Sequence, residues 1–576
     1  MKQPFSFLEP NAKRPWYAHY DEAMPHDITV PEGPITDLLD EAAGRWPKRV
    51  AVTFQNQSIT FAGLKKKAEI FAASLRRHGV GKGDRVAIML PNLPQSFIAF
   101  WGVQKAGAVA VMTNPLYMES ELTHLVKDAG VEHMILLDVF WSKISSLRES
   151  LGLKVCYVTR IMDSLDFPMN WLQAFSARRN GSWVDIPFDG RGVVRWKDML
   201  SGSERLSDPA ENPAETPAVI QYTGGTTGRS KGAILTHRNF QAQVEQTFRA
   251  QTEEQWENQV MLALMPLFHV FGLTLCLLLA VRIGCKVVPM PRYVQGDMLE
   301  AFKKYHFTFF PGAPSVYISL LQQKNLDKES LRDIRLCISG SAPMPLEWMK
   351  RFEEVTGVSI IEGFGLTEAS PVTHINPPHG VHKAGSIGCP LPGTDARIVD
   401  MKDGVTVLPP GQSGELVIRG PQVMKGYWNQ PEETAATLVD GWLHTGDIAT
   451  MDEDGYFYIL DRKKDLIIVG GYNVYPREID EVLHQHPKIR EAVAVGVSHR
   501  SRGETIKAYI VPKEGETLTV PEVVSFCRKK LASYKVPRLI EFREELPKSL
   551  VGKVLRRVLR EEEERRSAEE AGQKDA

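Results

Sequence analysis

The segment with the clearest chemistry is Tyr222-Thr-Gly-Gly-Thr-Thr-Gly-Arg-Ser-Lys-Gly232. Residues 223–229 hold three glycines and three threonines, a composition that favours neither helix nor strand. Thr223, Gly224, Gly225, Thr226, Thr227 and Gly228 offer backbone N–H groups and hydroxyls that can surround phosphate oxygens. Lys231 adds a point charge for the same anion. The apolar run Ala218-Val-Ile-Gln221 precedes the loop, so a flexible linker is the weaker reading. Two other motifs nearly fit. A Walker A loop needs Gly-Lys-Ser/Thr, and this chain has Ser-Lys-Gly. Gly228-Arg-Ser230-Lys-Gly232 is literally GxSxG, the pattern of a hydrolase nucleophile elbow. An elbow passes from strand directly to helix, whereas the strand-like Ala233-Ile-Leu-Thr follows here. A Ser230 hydrolase therefore remains a minor alternative.

Such a loop needs a scaffold, and residues 50–361 supply the pattern of one. Short β-branched runs at 51–54, 84–90, 133–137, 287–290, 308–311 and 334–339 alternate with helical periodicity such as Phe61, Leu64, Ala68, Phe71 and Leu75. Strands alternating with helices predict βαβ units, hence an α/β fold with mostly parallel sheets covered on both faces. Residues 385–460 change to short strands with turn signals such as Asp454-Gly455, the pattern of a small antiparallel barrel. Beyond Asp461-Arg-Lys-Lys-Asp465 the spacing predicts helices over 476–486 and 521–532 and strands over 491–497 and 506–512, a second unit of α+β type. Residues 561–576 are charged and poor in apolar side chains, which predicts a solvated or disordered tail.

Composition narrows the function classes. The formal net charge is −1, so no global field recruits nucleic acid. The six cysteines lie far apart with no CxxC, which argues for reduced structural thiols in a cytoplasmic protein rather than a zinc site or disulfide framework. From Asn258 to Ile283 the only charge is Arg282, and the length would suit a bilayer crossing. Pro266, His269 and Gly272 interrupt that run, so a buried strand, turn and helix accounts for it better.

The loop YTGGTTGRSKGA resembles the phosphate loop of the adenylate-forming superfamily, which comprises acyl-CoA synthetases, peptide-synthetase adenylation domains and luciferases. The resemblance recurs in order at MPLFHVFG (265–272), EGFGLTE (362–368), GWLHTGD (441–447), DRKKDLIIVGGYNVYPREIDEVL (461–483) and PKSLVGKVLRR (547–557), and covers roughly residues 15–560. It implies a large N-terminal domain over 1–460 made of βα-layered sheets and a small β-barrel. A hinge at 461–464 and a mobile α+β domain over 465–560 would follow, with Lys464 at the pivot. It implies that ATP and Mg2+ are bound. Thr223 and Glu368 would hold the ion, and oxygen donors suit that cation. Gly340, Ser341 and Ala342, with Glu362, Gly363, Phe364 and Gly365, would form the adenine wall, and Thr367 would also contact the nucleotide. Asp447 would accept from the ribose hydroxyls, and Arg462 would contact the nucleotide. Lys553 would bring positive charge to the attack of a carboxylate on the α-phosphate. His269 would sit near the reacting acid, and Gly470 and Gly471 would leave room for the arriving thiol of coenzyme A.

The acid is less legible. PWYAHYDEAMP near the N-terminus, SLDFPMNWLQAF at 164–175 and KSLVGKVLRR together look like the bacterial long-chain fatty acyl-CoA synthetase branch. That branch implies a fatty acid, ATP and coenzyme A as partners, and is often dimeric. Leu267, Phe268, Val270, Phe271 and Leu273 could line an apolar tunnel or simply fill the core. The 164–175 segment could touch the inner face of a membrane or be a buried insertion. The nearest rivals are a medium-chain or aryl acid, or a carrier-protein thiol as acceptor.

Overall fold

The computed structural model describes residues 13–22, 24–55, 57–208, 210–223, 230–323, 325–326, 328–469, 472–499, 503–549 and 552–574. Two compact units emerge: Met1–Asp395 with Ile418–Leu443, and Ala396–Val417 with His444–Ala576.

In the first unit, β1 (Val50–Phe54) belongs to a nine-stranded sheet and β2 (Arg85–Met89) to an eight-stranded one. Between them runs α1 (Pro94–Lys105), which touches strands of both sheets and buries all twelve of its residues. A helix buried all round must be apolar all round, and PQSFIAFWGVQK nearly is. Its one charge, Lys105, is fully buried and meets Asp40 at 2.7 Å, the pairing that a buried cation requires. Helix α2 (Glu119–Ala129) and the surface helix α3 (Met169–Arg179) follow. Then β3 (Pro217–Thr223) and β4 (Lys231–Thr236) extend the eight-stranded sheet as an antiparallel pair. In the other sheet β5 (Val260–Ala263), β6 (Phe309–Gly312), β7 (Leu336–Ser339) and β8 (Ile360–Gly365) lie parallel in that spatial order. β9 (Gly426–Tyr427) returns to pair with β4, and α4 (Pro431–Thr437) follows it. The membrane-like stretch is a buried strand, a turn and a continuous helical run over 270–282. No helix among the described residues is long and apolar enough to cross a membrane.

In the second unit β10 (Trp442–Met451) pairs antiparallel with β11 (Phe457–Arg462). Helix α5 (Pro476–His484) then packs on β12 (Ile489–His499), which forms a long hairpin with β13 (Gly503–Pro512). The last helix, α6 (Arg556–Lys574), also packs on β12. This division differs from the expected boundary at 460, because residues 396–417 and 444–460 group with the C-terminal region. The reason lies in β11: Arg477 of α5 donates from its backbone N to Asp461 at 2.8 Å and from its guanidinium to the Ile459 carbonyl at 2.7 Å. The disordered tail expected over 561–576 is corrected for 561–574, which is helical. Ion pairs from Glu562 to Arg543, Glu563 to Lys507 and Arg566 to Glu541 fix the helix where composition alone shows no apolar face.

Candidate active site

Thr223 and Lys231 face each other across the last rung of the β3–β4 hairpin. Gly224, Gly225, Thr226, Thr227 and Gly228 lie outside the described residues. Ser230 leads into a strand, not a helix, so the geometry of a nucleophile elbow is absent and the hydrolase alternative falls. Helix α2 braces the base of the hairpin: the His124 ring meets the Ser230 carbonyl at 2.8 Å, and the Tyr222 hydroxyl donates to Asp128 at 2.5 Å.

Lys231 forms an ion pair with Glu433 of α4 and lies 5.3 Å from the centre of the Tyr427 ring. The Tyr427 hydroxyl donates to Glu368 at 2.8 Å. Burial, then the neighbouring Glu368 carboxylate, raises the tyrosine pKa well above its ordinary value, so the hydroxyl stays a donor. One short strand, β9, thus connects the residue expected to meet phosphate with the residue expected to meet the metal. The motif GYWNQPEET (426–434) was not singled out in the sequence, although a Pro followed by two carboxylates is a recognisable helix start.

The carboxyl ends of β6 and β7 come level with Glu362 of β8, with Gly312 opposite Ser339 and Ser339 opposite Glu362, and β8 continues three residues further to Gly365. Crevices at the carboxyl ends of parallel strands are where such sheets take ligands. The Glu362 carboxylate accepts from the Met344 N–H at 2.9 Å, which holds the Gly340-Ser341-Ala342 turn near β8. Ser341 has a positive φ of 72°. The hydroxyls of Ser339 and Ser341 are buried with no hydrogen-bond partner among the described residues, an arrangement that asks for a ligand or water. Of the glycines here only Gly365 is demanded by its own backbone surroundings. A Cβ there would lie 2.1 Å from the Pro371 carbonyl oxygen, whereas at Gly340 and Gly363 it would make ordinary contacts. Phe364 is the next-to-last residue of β8, and Thr367 opens the 3-10 turn that carries Glu368.

The His269 turn is held from a distance. Asn92 is 2 % exposed. It donates to the carbonyls of Ala263 and Met265 at 2.8 and 2.9 Å and accepts from the Leu267 N–H at 2.9 Å. Its neighbours Pro91, Leu93 and Pro94 were the only hint in the sequence. His269 caps the following helix, its Nδ1 accepting from the Phe271 N–H at 3.2 Å, which places the proton of a neutral ring on Nε2. The helix then runs through a π-helical stretch, Leu273–Leu279, a feature that often accompanies function. Leu267, Val270, Phe271 and Leu273 are buried and Phe268 half-buried.

In the second unit Asp447 and Arg462 are cross-strand partners, and the Arg462 Nε meets the buried Asp447 carboxylate at 2.6 Å. Glu415 accepts from the Gly446 N–H at 3.1 Å and pairs with Lys463 at 2.9 Å, tying the middle of β10 to the residue that follows β11. Lys553 follows a turn at Gly552 (φ 78°), and its carbonyl accepts from the Ser549 N–H at 2.8 Å. Crowding by surrounding protein, then repulsion from Arg462, pulls the Lys553 pKa down to about 8, against attraction from Asp447. The residue nevertheless keeps an exposed surface. Lys464 is likewise lowered to about 8, first by loss of hydration. Arg560 of α6 donates to the Lys464 carbonyl at 3.0 Å and pairs with Asp465 at 2.9 Å, so it clasps the expected hinge. Gly470 and Gly471 lie outside the described residues.

The model of the AMP-binding enzyme family matches residues 39–428, and that of the AMP-binding enzyme C-terminal domain matches 478–553. A long-chain-fatty-acid–CoA ligase of Bacillus subtilis (strain 168) is 43 % identical over 555 residues, 96 % of this chain and 98 % of that protein. A protein with the same name from Escherichia coli O6:H1 is 38 % identical over 558 residues, again 96 % and 98 % of the two chains. Among solved structures, the anthranilate CoA ligase AuaEII in complex with anthranoyl-AMP superposes with a TM-score of 0.81 at 26 % identity, covering 94 % of this chain and 99 % of that one.

Proposed function

The chain belongs to the AMP-binding enzyme family, and on that premise we propose that it activates a long-chain fatty acid with ATP and transfers the acyl group to coenzyme A. In the first step a carboxylate oxygen attacks the α-phosphorus, and the bond to the bridging oxygen breaks. Pyrophosphate leaves with that electron pair and acyl-AMP remains. In the second step the coenzyme A thiol releases its proton to solvent, its sulfur attacks the acyl carbon, and AMP leaves with the electrons of the broken C–O bond. The observation that carries the reading is the cluster of Asp447, Arg462 and Lys553, one carboxylate for ribose hydroxyls beside two cations for phosphate.

The residues fit the roles. Asp447, already oriented by Arg462, accepts from the ribose. Lys553 stabilises the charge that develops on the α-phosphate as the acid attacks. Such donors aimed at a transition-state oxyanion count for more than ground-state contacts. Ser341 and the glycine edge of β8 admit the flat base, and His269 orients the acid. Glu368 and Thr223 present oxygen donors of the kind a hard divalent cation takes, and Mg2+ bound there would neutralise phosphate charge. Coenzyme A is the acceptor, and the bacterial long-chain relatives support the choice of acid.

One assay tests the whole reading. Purified protein is mixed with Mg-ATP, coenzyme A and equal amounts of acetate, octanoate, palmitate, oleate and coumarate, and the products are identified by mass spectrometry. Palmitoyl- and oleoyl-CoA with AMP are expected to dominate. Another acyl-CoA in first place would replace the substrate, and absence of AMP would overturn the reaction.

Glu433 gives a sharper check on the phosphate loop. Its carboxylate holds Lys231 and competes with an incoming phosphate for the same ammonium. Glu433→Gln is expected to lower the KM for ATP about two- to fivefold with kcat unchanged, the size of a partly exposed ion pair. A raised KM in pyrophosphate-exchange kinetics would show that Glu433 positions Lys231 instead.

A further inference from the structure

One side chain grips the expected hinge from far along the chain. Arg560 donates to the Lys464 carbonyl at 3.0 Å, and its other terminal nitrogen pairs with the Asp465 carboxylate at 2.9 Å. The two contacts fall on consecutive residues, an arrangement that suits the fixed fork of a guanidinium. The Asp465 side chain is only 10 % exposed and that of Arg560 26 %, so water screens the pair less than it would at an open surface. The reaction as described gives neither group a part.

The helix that carries Arg560 is held on both sides of it. Leu559 is fully buried and packs with Val493, Val495, Tyr509, Val511 and Leu546. One turn earlier Arg556 pairs with Asp480 and donates to the Ala494 carbonyl at 3.3 Å. Just beyond, Glu562 pairs with Arg543 and Glu563 with Lys507. Arg560 therefore fastens residues 464 and 465 to the body formed by α6 and the β12–β13 hairpin.

The residues before the pivot are fastened elsewhere. Arg462 pairs with Asp447 of β10 at 2.6 Å, the Lys463 N–H donates to the Gly446 carbonyl at 2.9 Å, and the Lys463 ammonium pairs with Glu415 at 2.9 Å. A peptide group is planar, so holding the Lys464 carbonyl oxygen also holds the Asp465 N–H. The soft dihedrals left between the two sets of anchors are those of Lys463 and Lys464, and the ion pair to Glu415 restrains the first. Across this gap the Asp465 N–H donates to the Arg462 carbonyl at 2.9 Å. A turn at Lys464 breaks that bond, whereas the contacts from Arg560 travel with the peptide.

We propose that Arg560 is a positioning residue for the change between the two half-reactions: it carries the peptide after Lys464 with the C-terminal helix and so confines the turn to Lys464. Without it the peptide can stay behind on the Arg462 carbonyl, and the turn spreads over residues 465 and 466. This role presupposes the two-step reaction proposed above, with Lys464 as the pivot between its steps.

Two measurements on the full chain test it. In hydrogen exchange, Arg560→Ala is expected to speed exchange in the peptide spanning 462–468 about five- to tenfold, the loss of a charge-assisted contact. Exchange in β12, β13 and α6 should be unchanged, which shows that the variant is folded. Arg560→Lys keeps one donor and the charge and should fall between the two. In single-turnover kinetics with palmitate, Mg-ATP and coenzyme A, Lys464→Pro locks a pivot dihedral. It should lose at least about tenfold more thioester formation than adenylation. Adding Arg560→Ala should narrow that gap to about threefold or less, because the freed peptide lets residues 465 and 466 take up the turn. An equal gap in the single and double variants, or unchanged exchange in Arg560→Ala, would overturn the proposal. No gap in Lys464→Pro alone would place the pivot elsewhere and overturn it too. If wild type releases no AMP, the two-step reaction itself fails, and exchange still reads whether Arg560 holds the peptide.

Discussion

Lys553→Ala is expected to lower acyl-adenylate formation by about 10²–10³-fold, the usual cost of removing one donor from a developing oxyanion. Thioester formation from supplied acyl-adenylate should be spared, because the α-phosphate charge has already been delivered in that substrate. Pyrophosphate exchange and thioester release, measured separately, check the split; equal loss in both would remove Lys553 from the first step. The depressed pKa adds a signature in pH. With a folded value of about 8, the ammonium is fully charged at lower pH and is lost as pH rises through that value. The kcat/KM profile for ATP should therefore fall above about pH 8, since that ratio reports the free enzyme. The kcat profile should fall later, because bound phosphates hold the proton on. Lys464 repels Lys553 and titrates in the same range, so the fall belongs to the coupled pair. In Lys553→Arg, whose charge persists at high pH, the falling limb should be much shallower.

Asn92→Ala should destabilise the first unit by about 2–4 kcal/mol and cut kcat/KM for the acid by about 10²-fold. The structural cost follows from leaving two buried carbonyls and one N–H without their side-chain partner. The catalytic cost follows because the turn they belong to carries His269, and misplacement of a reacting group by about 1 Å can cost that much. Thermal melting and acid-dependent kinetics measure the two effects. Asn92→Asp is the informative companion. It keeps the acceptor for the Leu267 N–H but presents a second anionic oxygen to the carbonyls of Ala263 and Met265. Its carboxyl would bind a proton more tightly in the folded state than in the unfolded one, so its stability should recover as pH falls. Near neutral pH it should be the less stable of the two variants. If instead both match wild type in stability and kinetics, Asn92 does not hold the turn.

Local sequence determined the elements and the catalytic vocabulary. The run His133–Leu137 coincides with an observed strand, and the runs at 51–54, 84–90, 287–290, 308–311 and 334–339 fall within a residue or two of others. Parallel strands covered on both faces are apolar throughout, and that signal is carried by adjacent residues. The glycine-threonine loop was legible from its own composition, whereas Gly365, Asp447, Arg462 and Lys553 were singled out only through the family resemblance, since each residue type alone is common outside such sites.

Tertiary structure alone decided what holds those residues in place. Asn92 meets Ala263 across 171 positions, and Lys231 meets Glu433 across 202. Neither pairing leaves a periodicity in sequence. The small sheet's membership in the second unit depends on Arg477 reaching back to β11. The helix over 561–574 depends on partners at Lys507, Glu541 and Arg543. The exposed face of α3 could equally have been an insertion into the core; only the fold leaves it in solvent. Propensity and hydrophobic period act over a few residues, whereas ion pairs, buried hydrogen bonds and burial itself exist only once distant segments have been brought together.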